Sequence, residues 1–558
     1  MAAEPLYRLA NTTVVEPLVN GWAAWAHVVP PVPASLHLRN YQCELLRSYL
    51  ENPGLHAQAC ENRKLRSGRF VNVPLGRAGE VEQLLRDTER RMAPSLELAQ
   101  SLVEFHNRLA AEAAGQSLEP FYPQLPEPLR GYVELVYDYY NHPIVRFFER
   151  LTYLGPCYRE DLQSLRLFRH TSDEARPFIM NTPRLPEAGQ VDWRLPFADA
   201  ALDELCRLDT APQPLGRIRE LLGLREEDDP ALLALLTTEA PRPPRPRPEG
   251  DEVSVRYFGH ACVLVEWGGV SVLTDPYVGA VPAEGGLARF TYEDLPERID
   301  YVLVTHNHHD HFCLETLLRL RHRVGCLVVP RSSGVFYGDP SLKVLAEQVG
   351  FRNVVELDAF GSLPLPGGSV TAVPFLGEHA DLPHSKTAYV LRAGAAQMMF
   401  GADSDCLDAT VYEHVRRHLG AVETVFIGME CVGAPLSWSC GPFLPFRPDP
   451  AHDQSRRYKG CDSRRARQIL SAVGAERVYV YAMGMEPWLE HLLGLAYTDD
   501  SPQLTESNLL VRGARAVAGA RRLYGKAEFT LCAGGGATRA SAPPPAAAAA
   551  AEDQFVFD

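Results

Sequence analysis

The sequence predicts an α/β protein in which a sheet sandwich flanked by helices follows a mixed, helix-rich N-terminal domain. Three observations support this fold class. Helical periodicity dominates residues 1–238, a proline-rich linker occupies 239–250, and short apolar runs separated by turns fill residues 251–530. Two groups of strands with helices between them are typical of sheets that pack face to face beneath helices.

In the N-terminal domain, apolar residues from Val81 to Ala110 recur at spacings of mostly three or four positions, or multiples of these, which predicts a helix. Pro94 should kink or divide this helix because proline lacks an amide hydrogen. A second helix is predicted near Leu129 to Tyr153, where tyrosine and phenylalanine are dense. Such an aromatic stripe indicates a core or an interface rather than a binding site.

The linker has the sequence EAPRPPRPRPEG. Proline at every second or third position prevents a helix and favours an extended spacer, whose arginines should be solvated. At the other end of the chain, residues 531–558 are rich in glycine, alanine and proline. We therefore expect a disordered tail there.

Short apolar runs in residues 251–530 predict the strands of the sandwich. Gly268 and Gly269 mark a hairpin between two of these strands, and a helix is expected at 464–473. The predicted strands are 253–258, 262–267, 270–274, 301–305, 326–330, 369–375, 387–392, 397–402, 424–428 and 477–481.

Composition excludes several classes of protein. The 558 residues carry a net charge of −15, which argues against a general binder of nucleic acid or anionic membranes. We find no secretory signal and no apolar run of about 18 residues, so we expect no membrane-spanning helix. The 12 cysteines include no CxxC pair and predict reduced thiols in a cytoplasmic protein.

One segment carries the chemistry. An apolar strand ends at Thr305, and the next six residues are His-Asn-His-His-Asp-His. His306 and His308 alternate along an extended segment and can share one metal, while Asp310 and His311 can reach a second. Two metals about 3.5–4 Å apart are a common catalytic device. Imidazole and carboxylate ligands suit zinc, iron or manganese, and the lack of a thiolate argues against a structural zinc site.

This HxHxDH run resembles the signature of the metallo-β-lactamase superfamily, which implies an αββα sandwich for residues 251–530. The resemblance implies that Asp403 bridges the metals, with Asp405 as the alternative. Asp275 would anchor the metal-binding loop. His260 would act in the site or form a structural hydrogen bond.

Two features depart from the hydrolases of that superfamily. Residues 377–379 read Gly-Glu-His, so a carboxylate precedes the expected histidine. The final histidine ligand is also missing after strand 477–481, and His491, further on, is expected on a helix surface. With Glu378 as ligand, one metal has two histidines and a carboxylate, an arrangement associated with non-haem iron and dioxygen. With His379 instead, a dinuclear zinc or manganese hydrolase of the lactonase or phosphodiesterase type remains the alternative.

The chain is more closely similar to the non-haem diiron β-hydroxylases of the chloramphenicol-pathway type. This resemblance rests on the HxHxDH run, Glu378, the Ala-Asp-Ser end at 402–404 and the segment 481–488. It implies two iron ions, dioxygen as co-substrate and an external reductant. The implied substrate is an amino acid, expected to be aromatic, held as a thioester on a peptidyl carrier domain in antibiotic or nonribosomal peptide biosynthesis. It further implies that Glu430 lies beside the irons as a ligand or a nearby acid.

The same resemblance implies protein partners. The N-terminal domain is expected to serve dimerisation or carrier docking rather than chemistry, and an electron-donor protein is expected. A basic cluster could receive an acidic carrier domain or the phosphate of its phosphopantetheine arm, or could simply be a solvated helix start. A catalytically silent scaffold is the third functional class, and the intact ligand set disfavours it. The basic cluster comprises Arg456, Arg457, Lys459, Arg464, Arg465 and Arg467.

Overall fold

The computed structural model describes residues 4–531 except 247, 249, 251, 379–384, 439 and 514–518. His379 and most of the predicted tail therefore lie outside the described residues, and Leu531 ends a strand. Within the described part of the chain, no helix combines the length and the apolar character needed to cross a membrane.

The C-terminal half is the predicted sandwich of two seven-stranded sheets. The first sheet has the order β15-β14-β13-β12-β11-β10-β23, and the second has the order β16-β17-β18-β19-β20-β21-β22. Strands of the first sheet are β10 (Val253–Gly259), β11 (Cys262–Trp267), β12 (Val270–Thr274), β13 (Ile299–Leu303), β14 (Val324–Pro330), β15 (Val354–Leu357) and β23 (Ala527–Leu531). Strands of the second are β16 (Ser362–Leu365), β17 (Gly368–Val373), β18 (Ala388–Ala393), β19 (Ala396–Phe400), β20 (Thr424–Ile427), β21 (Arg477–Val480) and β22 (Gly519–Arg522).

Apolar side chains from both sheets meet in one core between them. Val265 and Val272 from the first sheet and Tyr389 and Phe400 from the second are among its fully buried members. Alternate residues of each strand face this core, and helices cover the opposite faces. The helices of this half are α10 (Leu314–Leu320), α11 (Leu342–Gln348), α12 (Ala409–Leu419), α13 (Pro450–Ser455), α14 (Ser463–Val473), α15 (Glu490–Leu493) and α16 (Pro502–Gly513).

The predicted strands of this half are confirmed, with shifts of one or two residues at their ends. The hairpin at Gly268 and Gly269 joins β11 to β12, and α14 begins one residue before the predicted helix. The largest shift concerns β13, which ends at Leu303 rather than at Thr305. Thr305 instead belongs to the loop that carries the metal motif.

The N-terminal half contains small antiparallel sheets and short helices. A four-stranded sheet has the order β3-β2-β6-β7, a three-stranded sheet has the order β8-β1-β9, and β4 pairs with β5. The strands are β1 (Leu6–Leu9), β2 (Thr13–Val19), β3 (Trp22–Ala23), β4 (Val133–Tyr137), β5 (Pro143–Phe147), β6 (Gln163–Arg169), β7 (Val191–Arg194), β8 (Gln213–Pro214) and β9 (Leu236–Thr237). The helices are α1 (Pro31–His37), α2 (Glu44–Glu51), α3 (Pro53–Glu61), α4 (Ala78–Arg91), α5 (Ala93–Glu112), α6 (Glu149–Thr152), α7 (Ala200–Arg207), α8 (Leu215–Leu222) and α9 (Asp229–Leu233).

The helix predicted from Val81 to Ala110 is divided, as expected, next to Pro94. Helix α4 ends at Arg91, and α5 starts at Ala93 with the proline in its first turn. Proline is tolerated there because the first amides of a helix have no intrahelical acceptor. The break also resets the buried face, so Leu102 and Phe105 are buried in α5 whereas Ala110 is exposed.

The prediction of a second N-terminal helix near Leu129 to Tyr153 is wrong. Strands β4 and β5 form an antiparallel hairpin there, and Asn141 in its turn has a left-handed backbone with φ of 60°. Valine, isoleucine and aromatic residues favour strands because their side chains pack well on a pleated surface. The density of aromatic residues was therefore a strand signal.

The two halves of the chain share a hydrophobic core. One buried cluster joins Trp25 and Phe105 of the N-terminal half to Tyr277, Phe443 and Trp488 of the sandwich half. Two linker arginines, which are exposed as expected, also form surface ion pairs with the sandwich half, from Arg242 to Asp294 at 3.3 Å and from Arg245 to Glu528 at 2.9 Å.

Candidate metal centre

The candidate metal centre lies where strands of both sheets end at one edge of the sandwich. Residues 306–311 follow β13, Asp403 follows β19, and His260 lies in the turn between β10 and β11. Loops at strand ends often carry functional side chains because a rigid sheet holds them in place. The topology thus brings together residues that are far apart in the sequence.

Four non-glycine residues at these strand ends have a left-handed backbone. The φ angle is 52° at His260, 33° at Asp275, 45° at Ala402 and 51° at Ala482. Such conformations cost about 1–3 kcal/mol each and persist where the surroundings enforce them, commonly at functional sites. Their concentration at one edge of the sandwich supports a functional role for that edge.

Two overlapping groups of buried side chains could each hold a metal ion. One group is His306, His311 and Asp403, and the other is His260, Asp310 and His311. In the first, Asp403 Oδ2 lies 2.9 Å from His311 Nε2 and 3.6 Å from His306 Nε2. In the second, Asp310 Oδ2 lies 3.5 Å from His311 Nε2. His311 belongs to both groups and therefore marks the centre of the site.

Asp275 anchors the metal-binding loop, as the superfamily resemblance implied. Its two carboxylate oxygens accept hydrogen bonds from the Thr305 amide and hydroxyl, each at 2.7 Å. Asp275 Oδ2 also lies 2.9 Å from His311 Nδ1. A proton on Nδ1 leaves the lone pair of His311 on Nε2, which faces Asp403 and Asp310.

The geometry around His311 fits a cation better than a hydrogen bond. Its Nε2 is buried and close to Asp403 and Asp310, yet among the described side chains it has no partner with hydrogen-bonding geometry. Burial lowers the pKa of His311, but the charges of Asp403, Asp310 and Asp275 outweigh burial and raise it well above its usual value. The pocket therefore favours positive charge at the point on which these donors converge.

His260 supports Asp310. Its Nε2 lies 3.0 Å from Asp310 Oδ2, and the Gly484 amide donates to His260 Nδ1 at 3.2 Å. Because Nδ1 accepts that bond, the ring proton is on Nε2 and is donated to Asp310. This structural hydrogen bond was one of the two roles expected for His260.

His308 and Glu378 are placed differently from the other expected ligands. The His308 ring centroid lies 4.5 Å from that of His306, and His308 lines the adjacent cavity. Glu378 is half-buried, and its carboxylate belongs to neither group of converging donors. The segment carrying Glu378 nevertheless borders the site, because Leu376 pairs with Asp405 and Lys386 pairs with His306.

Asp405, the alternative to Asp403, points away from the donors. Arg465 binds its carboxylate, and the Cys406 amide donates to Oδ1 at 2.7 Å.

The expectation that His491 lies on a helix surface is wrong, because His491 in α15 is 2% exposed. The pKa of His491 lies well below its usual value, and burial is the largest cause of this shift.

A cavity of about 310 Å³ opens beside the donors, and part of its wall comes from the N-terminal half. Trp25, His27 and Ser67 supply that part, which the sequence did not reveal because these residues belong to no motif. Burial lowers the pKa of His27 to about 4, so its imidazole is neutral. The facing wall includes His308, Asp310, Asp403, Glu430, Trp438, Phe443, Arg457 and Tyr458.

The predicted basic cluster does not act as one surface. Arg457 lines the cavity, and its Nε donates to the Gly433 carbonyl at 2.6 Å. Arg456 and Lys459 are exposed beside it. Arg465 binds Asp405, and Arg467 Nη1 contacts the Leu509 carbonyl at 3.5 Å.

Comparison with known proteins places this architecture in a family. The family described as the diiron non-heme beta-hydroxylase N-terminal domain matches residues 8–241, and a beta-lactamase superfamily domain matches residues 254–394. The chain is 37% identical over 527 residues to the 4-amino-L-phenylalanyl-[CmlP-peptidyl-carrier-protein] 3-hydroxylase of Streptomyces venezuelae, covering 93% of this chain and 98% of that protein. The crystal structure of CmlA, a diiron beta-hydroxylase from Streptomyces venezuelae, has a TM-score of 0.87 at 35% identity and covers 95% of this chain and 100% of that one.

Similarity to hydrolases is confined to a shorter segment. A UPF0173 metal-dependent hydrolase of Methanopyrus kandleri is 31% identical over 122 residues, which is 22% of this chain and 45% of that protein. The similarity to the β-hydroxylase extends across both halves, so the hydrolase alternative is wrong. The chain belongs to the family of non-haem diiron β-hydroxylases, oxygen-dependent enzymes that use two iron ions.

Proposed function

We propose that this enzyme hydroxylates the β-carbon of an amino acid held as a thioester on a peptidyl carrier domain. The observation that carries the proposal is the arrangement of the site. Buried histidine and aspartate donors open onto a largely apolar cavity, within a chain that matches a carrier-dependent hydroxylase along nearly its whole length.

Six residues would hold the two irons. His306, His308 and Glu378 would bind one, Asp310 and His311 would bind the other, and Asp403 would lie between them. The short distances among His306, His311, Asp310 and Asp403 support four members of this set, whereas His308 and Glu378 are included on the family resemblance. Iron bound there supplies the capacity to activate dioxygen with electrons from an external reductant.

The protein contributes orientation and a protected environment. Asp275 orients His311, and His260 orients Asp310, so that each ligand presents one defined atom to its metal. The aromatic rings of Trp25 and Phe443 form part of the cavity wall and would keep water from the reacting β-carbon. Preorganised ligands and a dry cavity both favour attack at a single C–H bond.

The aromatic wall also supports an aromatic amino acid as substrate. Trp25, Trp438, Phe443 and Tyr458 line the cavity together. Aromatic rings prefer edge-to-face or offset contacts with one another, each adding about 0.5–1.5 kcal/mol beyond area burial. An aromatic side chain of the substrate would therefore gain more here than an aliphatic one of equal size.

Arg457 is the candidate for receiving the carrier's phosphopantetheine arm. It lines the cavity, with exposed Arg456 and Lys459 beside it, so positive charge would meet a phosphate or an acidic carrier surface. Changing Arg456, Arg457 and Lys459 together to glutamate should weaken turnover of carrier-bound substrate while preserving the diiron absorption spectrum. Unchanged turnover would contradict this role for the basic residues.

We further propose a homodimer, with the N-terminal half taking part in dimerisation or carrier docking, and a separate electron-donor protein. Tyr139, Tyr140 and Leu154 of the N-terminal half are highly exposed, which favours a protein interface there. Analytical ultracentrifugation would test the dimer, and a monomer at micromolar concentration would contradict it.

A reducing compartment such as the cytoplasm fits the eleven described cysteines, which are all free thiols.

The decisive experiment supplies the iron-loaded enzyme with reductant, dioxygen and an aminoacyl carrier domain. Mass spectrometry of the released amino acid should show one added oxygen at the β-carbon, and the free amino acid should remain unchanged. Equal turnover of the free and carrier-bound forms would contradict the proposal.

A further inference from the structure

We propose that Cys440 and Tyr458 are the site at which this enzyme oxidises itself when dioxygen reacts without substrate, and that the product is a thioether bond between them. The inference rests on the proposed function for the role of His308 as an iron ligand, and it adds a covalent modification to the cavity wall. It follows from the contact between the two side chains and from their position beside the metal centre.

The thiol of Cys440 and the phenol of Tyr458 are in direct contact. The Tyr458 hydroxyl donates a hydrogen bond to Cys440 Sγ at 2.8 Å. The ring carbon next to the one that carries the hydroxyl is two bonds from that oxygen, roughly 2.4 Å away. The sulfur therefore lies at the edge of the ring where an oxidised phenol forms new bonds. Both side chains are buried.

Backbone hydrogen bonds hold the pair in place. The Tyr458 amide donates to the Ala434 carbonyl at 3.0 Å, and the Leu436 amide donates to the Arg456 carbonyl at 3.3 Å, so the two segments run antiparallel. The Cys440 amide donates to the Leu436 carbonyl at 3.1 Å, which brings the thiol back towards the tyrosine. The local fold therefore sets the contact between Cys440 and Tyr458.

The pair also lies beside the candidate metal centre. The Tyr458 and His308 ring centroids are 5.7 Å apart, in an edge-to-face arrangement. Among the described residues that line the cavity, Cys440 is the one thiol and Tyr458 is the one phenol. Thiols and phenols lose electrons and protons more readily than aliphatic side chains or benzene rings do. Dioxygen reacting at this centre therefore meets an oxidisable pair when the cavity holds no substrate.

The electron balance is that of hydroxylation, with the pair in place of the substrate. The S–H bond of Cys440 and one ring C–H bond of Tyr458 break, and a C–S bond forms. The two side chains thereby give up two electrons and two protons. With two further electrons from the external reductant and two further protons from solvent, one dioxygen becomes two waters. The step needs no co-reactant beyond dioxygen and the reductant of the hydroxylation reaction.

The test is peptide mass spectrometry on the iron-loaded enzyme after exposure to reductant and dioxygen without a carrier substrate. Trypsin cleaves after Arg456 and Arg457, which separates Cys440 from Tyr458. A linked peptide should appear whose mass is that of its two parts less two hydrogen atoms, and it should survive treatment with a thiol reductant. Samples kept without dioxygen and zinc-loaded samples should lack this peptide.

Three variants locate the link. Cys440→Ser and Tyr458→Phe should each abolish the linked peptide, because the first removes the sulfur and the second removes the phenol. Cys431→Ser is the matched control, since Cys431 is half-buried and lies outside the described lining of the cavity. This control should form as much linked peptide as the unmodified enzyme. Iron content, measured on each sample, shows that the centre is loaded.

Three results would overturn the inference. Iron-loaded enzyme that reacts with dioxygen without forming the linked peptide would show that the pair is not oxidised together. Oxygen added at Met483 or Trp438 in place of the link would move the oxidation to another part of the cavity wall. A link that forms equally in zinc-loaded enzyme would not come from the iron centre. Hydroxylation of carrier-bound substrate, measured on the same preparation, decides the proposed function separately.

Discussion

Asp275 Oδ2 lies 2.9 Å from His311 Nδ1, and both side chains are fully buried. The same carboxylate accepts hydrogen bonds from Thr305, which precedes the metal motif. A single side chain therefore fixes both the start of the loop and the ring orientation of its last histidine. The metal centre depends on a residue that is not itself expected to bind metal.

Replacing Asp275 with alanine should weaken iron binding by about 10- to 100-fold, the usual effect of losing a residue that orients a metal ligand. It should also lower the free energy of unfolding by about 3–5 kcal/mol, because His311 loses a buried partner. Iron titration and urea unfolding would measure these effects. Asp300→Asn, half-buried at the opposite end of β13, is the control, and equal iron affinity in both variants would contradict the anchoring role.

Much of the centre could be predicted because four expected ligands lie within six consecutive residues. The local sequence fixes the proximity of His306, His308, Asp310 and His311, and strand ends bring in Asp403. The cavity wall could not be predicted, because Trp25 is 281 positions away from His306 and reaches it only through packing between the two halves. Apolar residues of that kind carry no local signal of function.

Glu149 of the N-terminal half should make stability depend on pH. Its carboxylate accepts from the Ser341 amide at 3.2 and 3.0 Å and thereby holds the start of α11. Burial raises the pKa of Glu149 to about 7. The folded state thus holds this proton more tightly than the unfolded state does. The contribution to stability is complete below pH about 4.5 and is lost as pH rises towards 7.

Glu149→Gln should remove that loss while retaining an acceptor for Ser341. Relative to the unmodified protein, the variant should be more stable by about 2–3 kcal/mol at pH 8 and nearly equal at pH 5. Urea unfolding at the two pH values would measure the difference. Glu149→Ala removes the acceptor as well and serves as control, and an equal gain at both pH values would contradict the titration of Glu149.

Trp25 should stabilise the fold and shape the cavity together. Its ring centroid lies 4.9 Å from that of His27 and 5.9 Å from that of His309, so it joins the two halves. Trp25→Ala should lower the free energy of unfolding by about 3–5 kcal/mol and raise KM for the carrier-bound substrate. Trp193→Ala, which affects a different core cluster, is the control for stability alone. An unchanged KM in Trp25→Ala would exclude Trp25 from the substrate wall.

The fold was predicted best where polar and apolar residues follow a clear period. Strands β10 to β12 show short apolar runs separated by glycine turns, and their bounds agree closely with the prediction. The failure at β4 and β5 came from an aromatic-rich stretch in which strand and helix patterns are hard to separate. The β-branched and aromatic residues of this stretch favour a strand, and that preference separates the two patterns here.

Removing the metal should destabilise the enzyme, because the carboxylates of Asp310, Asp403 and Asp275 then surround His311 without the cations that offset their negative charge. Ligand binding to the folded state alone stabilises it by about 3–4 kcal/mol when free ligand exceeds its Kd by 100- to 1,000-fold. Chelated protein should therefore unfold at a lower urea concentration than the iron-loaded protein.

Zinc should restore much of this stability, since imidazole and carboxylate also suit zinc. Only iron with a reductant should restore hydroxylation, because zinc has no redox chemistry to offer dioxygen. Urea midpoints and product mass, measured on the same chelated, zinc-loaded and iron-loaded samples, separate the two effects. Full turnover by a zinc-only sample without reductant would contradict the assignment of iron as the working metal.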